Sequence, residues 1–96
     1  MDVLNELLQK RDDILRIANQ HGVTHVKIFG SVARHEARDD SDIDLVVTRG
    51  AGRSFFFPGG LIADLEDLLG RSVDVTTEAA LAPEIRDDVL REAVEL

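Results

Sequence analysis

Asp42 and Asp44 stand two residues apart in the run Ser41-Asp42-Ile43-Asp44-Leu45-Val46-Val47. On an extended chain alternate side chains share a face, so the two carboxylates lie side by side. Neighbouring carboxylates do not both ionise cheaply. A hard divalent cation removes that conflict, and magnesium commonly takes one or two carboxylates together with substrate phosphates. On this pair alone, a solvated strand edge carrying charges explains the pattern equally well. Gly30-Ser31 lies twelve residues before Asp42, where a strand gives way to a helix. Glycine lets the backbone approach a phosphate, and exposed helix N–H groups face the anion. The Ser31 hydroxyl adds a donor and is also placed to cap the short helix that follows. Asp74 is a third carboxylate, opposite Val73 and Val75 on a later strand. If that strand neighbours the first, Asp74 shares the face of Asp42 and Asp44. Three carboxylates on adjacent strands suit two-metal phosphoryl or nucleotidyl transfer, and Asp74 could alternatively act as a general base.

Short elements must hold these residues. Apolar positions from Val3 to Asn19 follow one helical face, interrupted at Arg11, and Gly22 is a good stop. Val23 to Phe29 reads as a strand, with Val26 and Ile28 on one face. Asp39-Asp40-Ser41 is turn chemistry, and Asp42 to Thr48 is the second strand. A glycine-rich loop, Arg49 to Gly60, precedes a helix whose stripe of Leu61, Ile62, Leu65, Leu68 and Leu69 ends at Gly70. Ser72 to Thr76 is the third strand. Pro83 opens a last helix at a favourable first-turn position, with Ile85, Val89, Leu90 and Ala93 as its buried side. The order α-β-α-β-α-β-α predicts a single α/β (α+β) domain over residues 1–96, a small mixed sheet with helices packed against it.

Composition narrows the chemistry. The 96 residues contain no cysteine, which excludes disulfides, thiolate metal sites and cysteine nucleophiles. Eleven basic against 19 acidic residues leave a net charge of −8, which offers no footprint for nonspecific duplex or membrane binding. The aromatics are four phenylalanines, too few for a platform that stacks successive bases. No apolar run approaches the roughly 20 residues of a membrane span, and the N-terminus lacks a signal-peptide core, so a cytoplasmic location is expected. Arg34 and Arg38, one turn apart, face either phosphates or acidic neighbours, Glu36 or the turn at Asp39 and Asp40, with acidic neighbours favoured for Arg38. His21 and His25 read as a helix end and a strand edge, and His35 lacks a visible partner for triad or zinc chemistry. Of Phe55, Phe56 and Phe57, one or two are expected to close the core.

Gly30-Ser31, ten intervening residues and then Asp42-Ile43-Asp44 resemble the signature of the DNA polymerase β-like nucleotidyltransferases. The longer run GSVARHEARDDSDIDLVV is similar to the stand-alone minimal nucleotidyltransferases. It shares Gly30, Ser31, Ala33, Arg34, Glu36, Ala37, Arg38, Ser41, Asp42, Ile43, Asp44 and Leu45 with their pattern. Two positions depart from it: His35 stands where glycine is usual, and Asp39 where proline is common. The resemblance implies the polymerase β-like fold and an antitoxin encoded beside a HEPN-domain RNase toxin. It implies transfer of AMP from Mg-ATP to a hydroxyl of that partner, expected to be a tyrosine, in a hetero-oligomer. It further implies that Gly30, Ser31 and Arg34 hold the triphosphate, and that Asp42, Asp44 and Asp74 are catalytic and bind magnesium, expected as two ions. No membrane or direct nucleic-acid partner is expected. The alternative is a non-catalytic antitoxin that neutralises the toxin by binding alone.

Overall fold

Alternation of apolar and polar side chains lays down a four-stranded sheet in the order β3-β2-β1-β4. The structure is a computed structural model that describes residues 2–50 and 57–96, so the expectations for Phe55 and Phe56 lie outside the described residues. In β1 (Val23–Phe29) and β2 (Ile43–Arg49) the side chains of Val26, Ile28, Ile43, Leu45 and Val47 are buried on one face. The two strands pair antiparallel, with a shift in register between Val23 and His25. β2 and β3 (Val73–Thr77) pair parallel, with Ile43 opposite Val73 and Asp44 opposite Asp74.

Helices cover the apolar face. α2 (Arg11–Gln20) packs on β1 and on α4 (Gly59–Leu69), which forms the crossover between β2 and β3. Ile14, Ala18, Leu61 and Leu65 are the most deeply buried contributors of these two helices. Gly70 ends α4 with φ +67°, a left-handed conformation that glycine adopts without steric cost. The second face is covered only in part. Val46 points there and is buried, as is Leu81, yet neither belongs to the main apolar cluster. The 3-10 turn Glu78–Ala80, just before Leu81, contacts β2.

The expected α/β class and mixed sheet are what the chain adopts, with four differences in its elements. The first helix is two, α1 (Val3–Gln9) and α2, broken at Lys10. The break lets α1 reach toward α3 (Gly30–Ala33) while α2 lies along β1. The last helix, α5 (Pro83–Glu92), stops before Ala93, whose backbone is extended. A fourth strand, β4 (Val94–Glu95), then pairs antiparallel with Lys27 and Ile28 of β1. Finally, α5 has no buried residue, and Ile85 is 50% exposed rather than part of a buried side.

The contribution of α4 to this core is directly measurable. Leu65 has no exposed surface, so Leu65→Ala should cost about 2–5 kcal/mol. Urea unfolding followed by circular dichroism reads it as a lowered midpoint with an unchanged slope.

Candidate functional site

Strand pairing brings two of the three carboxylates together. Asp44, the second residue of β2, sits between Phe29 of β1 and Asp74 of β3 in the ladders. Residues in register on paired strands share a face, and adjacent strands run about 4.8 Å apart. Asp44 and Asp74 are therefore immediate neighbours on the face opposite the core. Asp42 lies one residue ahead of β2, exposed and with the same alternation as Asp44. Burial pushes the Asp44 carboxyl above its ordinary pKa, and the charges of Asp74 and Asp42 push it further. Arg34 is the cation that opposes them.

Gly30 makes room for this carboxylate. Its φ is +72°, and a Cβ there would fall on the Asp44 carboxylate oxygen, with Cγ only 3.3 Å away. The glycine expected to admit a phosphate thus first admits Asp44. Ser31 is the second residue of α3 and half-buried. Contrary to the sequence expectation, it does not cap the helix: α3 begins at Gly30, the cap position falls on Phe29, and no side chain caps it. Arg34 closes α3 and pairs with Glu36 at 3.1 Å and Glu92 at 3.5 Å. Of the two arginines, Arg34 is the one that takes Glu36. The two carboxylates, Glu36 foremost, hold the Arg34 pKa above its ordinary value.

His35 adopts φ +60°, a conformation that costs a residue with a Cβ roughly 1–2 kcal/mol. This is the position where the resembled family has glycine. Contrary to the sequence expectation, His35 has a partner: its Nδ1 hydrogen-bonds the Asp2 carboxylate, lowering the Asp2 pKa. Asp2 also accepts from the Leu4 N–H at 2.8 Å, so the contact ties the start of α1 to the end of α3. His21 ends α2 and meets Asp64 at 2.7 Å, and His25 meets Glu95 at 3.3 Å from an exposed strand position.

The segment that delivers Asp42 is held from a distance, and sequence reasoning did not reach its anchors. Arg38 and Ser41 close a turn on each other: the Ser41 N–H donates to the Arg38 carbonyl at 3.0 Å, and the Arg38 N–H donates to the Ser41 hydroxyl at 2.8 Å. Arg71 Nη1 donates to the Asp39 carbonyl at 3.0 Å. The Ile43 N–H donates to the Ser72 carbonyl at 2.8 Å. Glu66 accepts from the Val73 N–H at 3.0 Å, one residue before Asp74.

The donor set fits a hard cation in one particular way. Among the described residues no three histidine or carboxylate groups converge as a ready cage. Asp42, Asp44 and Asp74 share a face without converging on a single point. Magnesium rarely uses an all-protein cage, and one or two carboxylates with phosphate oxygens suffice. An open carboxylate shelf beside a glycine-opened helix fits that shared coordination. A cavity of about 400 Å³ lies elsewhere, lined by Val47, Thr48, Arg49, Thr77, Glu78 and Ala79 at the far ends of β2 and β3. Val46, buried under the 3-10 turn, stands between it and the carboxylates.

Comparison with known proteins fits this arrangement. Residues 5–96 match the family described as polymerase beta, nucleotidyltransferase. A candidate protein adenylyltransferase of Methanocaldococcus jannaschii is 41% identical over 93 residues, covering 97% of this chain and 97% of its own length. The protein adenylyltransferase MntA of Thermococcus cleftensis is 37% identical over 78 residues, 81% of this chain and 79% of its own. A solved structure described as a candidate minimal nucleotidyltransferase superposes with a TM-score of 0.84 at 47% identity, covering 100% of this chain and 97% of that one. A chain in a toxin–antitoxin crystal structure with AMP-PNP shares the fold, with a TM-score of 0.72 at 17% identity over 88% of this chain and 69% of that one.

Two stability measurements test the geometry. A raised carboxyl pKa means that ionised Asp44 is worse off folded than unfolded, so stability falls as pH climbs through the raised value. In the absence of divalent cations Asp44→Asn should melt higher than the native protein at neutral pH. That advantage should vanish as pH drops below the ordinary aspartate range; an Asn variant that melts lower at neutral pH would contradict the account. Gly30→Ala should cost the roughly 1–2 kcal/mol of a left-handed alanine, plus the displacement of Asp44. A double-mutant cycle with Asp44→Ala should recover the second part and leave the first.

Proposed function

The chain belongs to the polymerase beta nucleotidyltransferase family, and on that premise we propose that it transfers AMP from Mg-ATP to a hydroxyl of a partner protein. The observation that carries this reading is the in-register pair of Asp44 and Asp74 beside Gly30, with Asp42 next to them. Asp42, Asp44 and Asp74 would hold magnesium, as two ions. What the metal supplies when bound is charge neutralisation on the triphosphate and a lowered pKa for the attacking hydroxyl.

The chain's own residues supply the rest. Gly30, Ser31 and Arg34 bind the triphosphate: the backbone at Gly30 and the Ser31 hydroxyl offer donors, and Arg34 offers a charged fork. Arg34 exchanges Glu36 and Glu92 for phosphate oxygens. The acceptor oxygen attacks the α-phosphorus, a new O–P bond forms, and the bond to the bridging oxygen breaks. Pyrophosphate leaves. Asp74, in register with Asp44 on the neighbouring strand, accepts the hydroxyl proton.

The acceptor is a tyrosine of a HEPN-domain RNase toxin, and transfer silences it. Both relatives described above bear the name of protein adenylyltransferase, the first of them provisionally. One of these is named MntA, the name also carried by chains solved in MntA–HepT toxin–antitoxin crystals. Residues 1–96 act as one minimal domain, in a hetero-oligomer with the toxin, in the cytoplasm, and without direct contact to nucleic acid. No described helix is long and apolar enough to cross a membrane.

The test is a labelling assay with the toxin encoded beside this chain, magnesium, and ATP labelled at either the α or the γ position. Label should enter the toxin from the α position only. Asp44→Asn should lower the rate about a hundredfold or more. An unlabelled toxin that is nonetheless neutralised in a stable complex would replace this reading with neutralisation by binding alone. Label from the γ position only would make the reaction phosphoryl transfer.

A further inference from the structure

Asp42 is the least constrained of the three carboxylates. It is exposed and precedes β2. Its place is set by its neighbours in sequence, and those are anchored from one side. The turn Gly70-Arg71-Ser72, which ends α4 and leads into β3, grips the chain on both sides of it. After Asp42, the Ile43 N–H donates to the Ser72 carbonyl at 2.8 Å. Before it, Arg71 Nη1 donates to the Asp39 carbonyl at 3.0 Å and reaches the Arg38 carbonyl at 3.4 Å. The Arg38–Ser41 turn passes that restraint to Asp42 through two further hydrogen bonds. Asp74 starts three residues after Arg71, on the strand the same turn feeds.

We propose that Arg71 is a positioning residue of the carboxylate shelf: its guanidinium clamps the Arg38–Ser41 turn and fixes Asp42 relative to Asp44 and Asp74. This rests on the reading that those carboxylates hold a divalent cation. Both contacts come from Nη1, which carries two N–H donors and a permanent positive charge, so one end of the guanidinium meets two successive carbonyls. The clamp also opposes a real force. Three carboxylates gathered at the ends of two strands repel, and Asp42, outside the ladder, is the one free to swing away. Without the clamp the site would still form when cation concentration is high, at a larger cost in ordering the turn.

The experiment titrates Mn2+ into the protein with a non-hydrolysable ATP analogue, following free Mn2+ by electron paramagnetic resonance. Native, Arg71→Met and Arg71→Lys proteins are compared, and the magnesium dependence of AMP transfer is measured in parallel. Loss of a residue that orients a ligand typically costs 10–100-fold in metal affinity. Arg71→Met should weaken Mn2+ binding by about tenfold at least, and raise the magnesium needed for half-maximal transfer by the same factor. The rate at saturating magnesium should hold, and Arg71→Lys should recover part of the loss. A folded Arg71→Met with native Mn2+ affinity would overturn the proposal. Should Arg71→Met fail to fold, Ser41→Ala breaks the same turn from its other side, and native affinity there would overturn it equally. If the native protein binds Mn2+ but transfers nothing, the proposed reaction fails while the binding comparison still decides the role of Arg71. If the native protein binds no Mn2+, both fail.

Discussion

Like-charge repulsion at the beginning of two parallel strands is the constraint around which this small protein is arranged. Register, with Ile43 opposite Val73, puts Asp44 against Asp74, and the Ser41-Asp42-Ile43 sequence adds a third negative charge beside them. Nothing about folding favours that arrangement. Burial and both neighbouring charges push the Asp44 carboxyl upward, and only Arg34 pulls it back. A domain of this size holds marginal stability, so a standing penalty of this kind marks a place where the fold is shaped for something other than itself.

The remainder of the structure can be understood as the apparatus that tolerates the penalty. The apolar face of the sheet is closed by α2 and α4 with fully buried leucine and isoleucine side chains, so the charged face is free of structural duty near Asp44. Farther along β2 the 3-10 turn contacts the strand and Val46 is buried, so that part of the face is covered. Gly30, in a left-handed conformation, yields the space the Asp44 carboxylate occupies. One residue type thereby serves both a tight junction and a close approach. The turn after α4 secures the chain around Asp42.

Much of this was legible in the residues because it rests on short-range rules. Alternation set the faces of β1, β2 and β3, and it correctly put Asp44 and Asp74 on the side away from Val73 and Val75. Gly70 announced the end of α4, and the Gly30-Ser31 spacing pointed to the junction before α3. What escaped detection depends on contacts between distant segments. Arg71 and Asp39 are separated by 32 positions, and no local pattern joins them. His35 meets Asp2 across 33 positions, which is how a histidine came to look partnerless while occupying a conformation suited to glycine. The two residues of β4 are too few to display a period; that strand forms because Leu96 and Glu95 reach β1. The apolar stripe of α5 predicted burial, but a helix on the partly covered face has little to pack against, and Ile85 stays exposed.

The claim on which all of this turns is that the three carboxylates form one electrostatically strained unit that a nucleotide-borne cation relaxes. Carboxyl-carbon NMR titration of Asp44 reads that unit directly, first with the protein alone and then with magnesium and a non-hydrolysable ATP analogue. The account predicts that Asp44 titrates above the ordinary aspartate range in the protein alone. It further predicts that Asp44 falls below that range with the metal nucleotide. Ordinary titration of Asp44 in the free protein, with no response to the metal nucleotide, would contradict it.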